Sequence, residues 1–99
     1  MMDIHRTIQG IDFEWDVNKA LHNQTKHGVS FEIACNTFFD PFVAALDDEI
    51  VDGEIRYTAV AMTTTWQILY IVYAWRGDAI RLISARPATS HERKAYENR

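Results

Sequence analysis

Four arginines stand in or beside extended, apolar stretches: Arg56 within IRYTAVAMTTT, Arg76 directly after ILYIVYAW, and Arg81 and Arg86 within IRLISAR. A guanidinium keeps its charge across the physiological pH range and presents a planar fork of donors, which suits a phosphate and a carboxylate alike. Two readings follow, a phosphate grip or an ion-pair network with Glu54, Asp78 or Glu92. Arg81 and Arg86 are five residues apart, which sends them to opposite faces of a regular strand, so only a bulge aligns them. Arg76 and Arg86 fall near opposite ends of neighbouring antiparallel strands. Lys19, Asn23, Lys26 and His27 are spaced i, i+4, i+7 and i+8, along one side of a helix. The plainer reading is a solvated face ending in a histidine whose charge suits a helix C-terminus. The chemical reading is a basic wall with a proton-transfer group.

The elements that must carry these residues are legible. IDFEW reads as a short strand, and Asp16 can cap a helix running to about His27, with Val17, Ala20 and Leu21 on its apolar side. Gly28 supplies a left-handed stop. Ser30 can cap a second helix, whose Phe31, Ala34, Cys35, Phe38 and Phe39 form a core-facing stripe ended by Asp40 and Pro41. The period then becomes extended: FVAALDD, IRYTAVAMTTT, WQILYIVYAW and DAIRLISAR predict four strands in an antiparallel meander, with Asp52-Gly53 and Gly77-Asp78 as turn formers. ILYIVYAW alternates too little for a half-exposed strand and is expected at the centre, covered on both faces. Tyr70, Tyr73 and Trp75 read as core there rather than as base-stacking platforms. Thr89 to Glu92 fits a capping box opening a last helix near Ser90. The fold class is α+β, and the 99 residues suit one domain, with residues 1 to 10 an extension or a first strand.

Composition narrows the function. No run of about 18 apolar residues is present and the first residues lack the apolar centre of a signal peptide, so a cytoplasmic protein with no membrane span is expected. Cys35 is the sole cysteine, and the four histidines show no metal spacing, so neither a structural metal nor a cofactor is expected. No Walker loop, GxSxG elbow or HExxH is found. Net charge is −4, yet residues through Trp75 hold 4 Lys and Arg against 11 Asp and Glu, a net of −7, while Arg76 to Arg99 hold 6 against 3, a net of +3. Such asymmetry suits a protein that offers a cationic site to one partner and an acidic surface to another.

In these same positions the chain resembles the BrnT family of bacterial toxins, small ribonucleases of type II toxin-antitoxin systems. The resemblance runs from about Phe13 to Tyr96. It is carried by FEWD, Lys19, Asn23, KHGVSF from Lys26, FDP from Phe39, the ExRY element (Glu54, Arg56, Tyr57), WRGD around Arg76, and IRLISAR followed by Glu92, Arg93 and Tyr96. Ala61 departs from an expected glycine. The resemblance implies a RelE-like fold, a curved antiparallel sheet packed against two N-terminal helices with a C-terminal helix. It implies cleavage of RNA without a metal, inhibition of translation, and a cognate ribbon-helix-helix antitoxin that neutralises the toxin. Operator DNA would be reached only through that antitoxin.

Given RNA as substrate, attack of a 2′-hydroxyl on the adjacent phosphate builds charge that fixed guanidinium groups stabilise. Arg56, Arg81 and Arg86 are then the catalytic arginines, with His27 and Glu54 as candidates for base and acid. Lys19, Asn23, Lys26 and Arg76 are the RNA-binding candidates. A basic antitoxin would be drawn to the acidic part of the chain. The rival reading is an interaction module, or a degenerate toxin that binds its antitoxin without cleaving. Arginines converging on an open surface without carboxylate partners favour catalysis, and arginines tied to carboxylates favour the module.

Overall fold

The computed structural model describes residues 2–98. A hairpin of β1 (Asp3–Ile8) and β2 (Ile11–Asp16) leads into α1 (Val17–His27), α2 (Phe31–Asn36) and a short 3-10 turn (Thr37–Phe39). Then come β3 (Ala44–Ala45), β4 (Glu49–Val51), β5 (Glu54–Met62), β6 (Ile68–Arg76), β7 (Ala79–Pro87) and α3 (Ser90–Glu97). The helix ends follow from side chains placed to satisfy exposed backbone groups. The Asp16 carboxylate accepts from the Lys19 N–H at 3.0 Å, the Ser30 hydroxyl accepts from Ile33, and Gly28 closes α1 at φ 71°. Thr89 and Glu92 form the expected capping box.

The sheet order is β1-β2-β7-β6-β5-β3, and β4 pairs with another stretch of β5. Strands β5, β6 and β7 form the expected meander, but β2 runs parallel to β7, through Phe13 opposite Ile80 and Glu14 opposite Arg81. The sheet is therefore mixed rather than antiparallel. Tight turns force antiparallel neighbours, whereas β2 and β7 are joined by a long path through helices and four strands that leaves their relative direction free.

One face of the sheet carries α1 and α2. There Phe13 and Trp15 of β2, Leu69 and Ile71 of β6, and Ile80, Leu82 and Ala85 of β7 pack on Phe31, Ala34 and Cys35. Each large apolar side chain fully buried contributes about 1.5–3 kcal/mol. Cys35 lies in this core, and burial pushes its thiol up to about 12, so it is no nucleophile. The opposite, open face is covered in part by α3, whose Glu92 reaches Arg86 of β7. Strand β6 is central as expected, yet Tyr70 and Val72 stay half-exposed on the open face and Trp75 is exposed.

Helix α1 departs from its expected orientation, for Leu21 is 61% exposed while Asn23 is 5% exposed. The cause is backbone chemistry. The β2–β7 pairing stops at Glu14 and Arg81, which leaves the outer edge of Ala85 without a strand. The Asn23 amide fills that place: Nδ2 donates to the Ala85 and Val29 carbonyls at 2.8 and 2.9 Å, and Oδ1 accepts from the Ala85 N–H at 3.1 Å. Leaving buried backbone groups unpaired costs more than exposing one leucine.

Candidate functional site

Strand β7 contains the bulge that the two arginines require. Its register to β6 shifts between Val72 and Tyr73, so that Ser84 and Leu82 are paired and Ile83 is the extra residue. Leu82 and Ala85 thus both face the core, and Arg81 and Arg86 both face the open side. They do not converge. Five residues of strand at about 3.3 Å each set them on the order of 15 Å apart. The strand arginines divide into two groups, one at each end of the open face.

Around Arg81 the charges are compensated. Its Nη1 donates to Glu14 at 2.6 Å and to Asp3 at 3.1 Å, its Nη2 donates to Asp3 at 3.1 Å, and only 11% of the side chain is exposed. Arg76 Nε donates to Glu54 at 2.8 Å. That hydrogen bond holds the Glu54 carboxyl below its ordinary range, with the charges of Arg56 and Arg81 adding to it. Glu54 is thereby kept ionised and paired, a poor proton acceptor near neutral pH. Arg56 faces the same side, since its neighbour Tyr57 stacks on Tyr73 at 5.6 Å on the helix face. Its Nε is buried and has no hydrogen-bond partner among the described residues.

At the other end Arg86 forms a bidentate pair with Glu92, at 2.8 and 2.9 Å, and its guanidinium lies 4.3 Å from the centre of the Tyr70 ring. Glu92 is shared: the carboxylate that orients Arg86 also accepts from the Thr89 N–H at the start of α3. His27, at the end of α1, lies close enough for the Arg86 charge to act on it. Its pKa is lowered by burial first, then by the charges of Lys26, Arg86 and His22. The lowered pKa favours the neutral imidazole, the form that can accept a proton. Thr58, Tyr70, His91 and Glu92 line a concavity of about 420 Å³ on this part of the open face. A hollow lined by Phe39, Phe42, Met62 and Trp66 contains no arginine or histidine.

The remaining candidates separate cleanly. Lys26 is exposed beside His27, Lys19 is exposed at the far end of α1, and Asn23 is buried with its amide committed to backbone. Asn23 thus holds α1 on β7 and is closed to RNA. Sequence reasoning missed Asp3 and Glu14 as partners of Arg81 and Tyr70 as the platform under Arg86. The first pair becomes visible only once β2 is known to lie beside β7. Tyr70 and Arg86 sit opposite each other in the β6–β7 ladder, a pairing that the bulge hides from simple counting. Among the described residues no three His, Cys, Asp or Glu side chains gather into a metal-binding group, and no helix is long and apolar enough to cross a membrane.

A family model described as the ribonuclease toxin BrnT of a type II toxin-antitoxin system matches residues 15–92. The structure is similar to the 1.1 Å crystal structure of the Brucella abortus ribonuclease toxin BrnT, with a TM-score of 0.57 and 23% sequence identity over 77% of this chain and 94% of that chain. No curated protein matches the chain.

Proposed function

The chain belongs to the BrnT family of ribonuclease toxins of type II toxin-antitoxin systems, and on that premise we propose that it cleaves RNA without a metal ion at the Arg86 end of the open face. The observation that carries this assignment is the Arg86 guanidinium, fixed by the Glu92 fork and the Tyr70 ring near the end of α1, where Lys26 and His27 stand. His27 takes the proton from a 2′-hydroxyl, a bond forms from that oxygen to phosphorus, and the bond from phosphorus to the 5′-oxygen breaks. The leaving oxygen is protonated from solvent. The products are a 2′,3′-cyclic phosphate and a 5′-hydroxyl. Arg86 stabilises the phosphoryl oxygens as charge builds, Tyr70 and Glu92 fix its plane, and Lys26 adds attraction. Arg56, Arg81, Arg76 and Glu54 maintain the sheet at the other end.

In this reading the toxin acts in the cytoplasm, blocks translation by cutting RNA, and is neutralised by a ribbon-helix-helix antitoxin through which it reaches operator DNA. The deciding test is cleavage of a defined single-stranded RNA by purified protein in EDTA, wild type against a folded His27→Ala variant, with analysis of the ends. Cleavage in EDTA that is lost in the variant and yields cyclic phosphate is expected. A 3′-hydroxyl and 5′-phosphate would remove the mechanism.

The ion pairs favour a second reading. Arg81, Arg76 and Arg86 are each tied to a carboxylate, the arrangement that favours a non-enzymatic module which binds the antitoxin without cleaving RNA. Tight antitoxin binding with no cleavage on or off the ribosome would establish it.

A further inference from the structure

The helix face of the sheet is not covered to its end. Beyond the core, Ile50 of β4 pairs with Ile55 of β5, and these two are 75% and 47% exposed. The β5–β6 register, which sets Tyr57 opposite Tyr73, continues far enough for Glu54 and Arg76 to form their ion pair, and so places Trp75 opposite Ile55. Trp75 is 50% exposed and pairs in turn with Ile80 at the margin of the core. Ile50, Ile55 and Trp75 thus form one exposed apolar row across three strands, next to the stacked Tyr57 and Tyr73. A contiguous apolar surface of this kind on a small protein marks a contact for a partner.

The rim names the chemistry of that partner. Residues 46 to 55 carry Asp47, Asp48, Glu49, Asp52 and Glu54 and not one lysine or arginine. Asp47, Asp48, Glu49 and Asp52 are exposed, and the Tyr73 phenol pKa is raised by burial first and then by the charge of nearby Asp48. RNA is repelled by this rim, and so is a second copy of the same surface. Strand β4 pairs with β5 alone among the described residues, so its outer edge is open to one more strand.

We propose that the apolar row Ile50, Ile55 and Trp75, with its acidic rim and the open edge of β4, receives a basic, apolar segment of the antitoxin. The inference rests on the reading of this chain as the toxin of a pair, and it places the antitoxin away from Arg86 and His27. Neutralisation then acts through bulk or a reach across the sheet, and binding and catalysis are separable by mutation.

The experiment is calorimetric titration of the full chain with the antitoxin encoded beside it, at low and high salt, alongside RNA cleavage. Two variants are compared with wild type: Ile50→Asn with Trp75→Ala, which strips the apolar row, and Asp48→Asn with Glu49→Gln and Asp52→Asn, which neutralises the rim without touching packing. The first should bind at least tenfold more weakly. The second should bind about tenfold more weakly at low salt and lose most of its salt dependence, and both should cleave RNA at the wild-type rate. Wild-type affinity in both variants, with cleavage still stopped by the antitoxin, overturns the inference and leaves the toxin reading intact. Self-association of the wild type that disappears in the first variant overturns it in favour of a second copy. No cleavage and no antitoxin binding by wild type would remove the toxin reading and this inference together.

Discussion

The two ends of the open face hold similar residues in opposite electrostatic states. At one end Arg56, Arg76 and Arg81 lie among Asp3, Glu14, Glu54 and Glu49, the last opposite Arg56 in the β4–β5 ladder, three cations among four carboxylates. At the other, Arg86 and Lys26 lie beside His27, with Glu92 paired to Arg86 and Asp47 on the wall of the neighbouring concavity. A phosphate arriving at the first end must displace carboxylates that are hydrogen-bonded and, for Glu14, largely buried. One arriving at the second meets an uncompensated charge and exchanges with a single carboxylate. Arginine content therefore does not separate the two ends, and the balance of charge around each arginine does. Asp3 and Glu14 also lie outside the 15–92 span that the family model matches, so the clamp on Arg81 is made by the N-terminal hairpin.

The sharpest break in this comparison is a pair of truncations read on two axes. Arg86→Ala should lower the cleavage rate by about 100-fold, the scale of losing one donor to a developing oxyanion, with little change in Tm. Arg81→Ala should do the reverse. It leaves Glu14 buried without its partner, which costs about 2–3 kcal/mol after allowance for the solvent-screened Asp3 contact. That corresponds to a fall in Tm of about 10–20 °C, with cleavage by the folded protein kept. Thermal denaturation and initial rates on the same preparations check both, and an exchange of the two phenotypes would move the centre to the Arg81 end.

Much of this division was hidden in the sequence, for reasons that are physical. Caps and stops are local, so Asp16, Gly28, Ser30 and the Thr89–Glu92 box could be read from types and spacing. The direction of β2 is set by a partner far along the chain, so the sheet read as antiparallel and Glu14 could not be assigned to Arg81. Helix α1 was misoriented because periodicity ranks apolar side chains first, while the unpaired edge of Ala85 demanded Asn23. The bulge lay between reading and miss: the five-residue spacing stated the condition under which Arg81 and Arg86 share a face, and only the ladder supplied Ile83 as the extra residue.

A smaller effect tests the field at the Arg86 end. In the folded chain His27 has its pKa lowered from 6.5 by burial, Lys26, Arg86 and His22, so the unfolded chain binds the proton more readily. The stability from keeping His27 neutral is complete above the unfolded value and is lost as pH falls through the lower, folded one. Cleavage that uses the neutral imidazole declines over the same acid range. Lys26→Gln removes the largest charge contribution, so the His27 titration followed by NMR and the acid limb of the rate should both move to higher pH. A limb that stays put while the titration moves would take His27 out of the reaction.

The smallest effect belongs to Glu54. Its pair with Arg76 is exposed, with 48% of the arginine side chain and 30% of the glutamate accessible, so solvent screens most of its contribution. The hydrogen bond from Arg76 keeps the carboxylate ionised at neutral pH and gives it little drive to accept a proton. Glu54→Gln preserves shape and one hydrogen-bond acceptor while removing any possible base. Cleavage should stay within about twofold of wild type, a change near the resolution of rate comparison, and Tm should not shift measurably. If cleavage instead fell tenfold with Tm unchanged, Glu54 would be the base, Arg56 with its unpaired Nε would be the phosphate contact beside it, and the compensated end would hold the reaction after all.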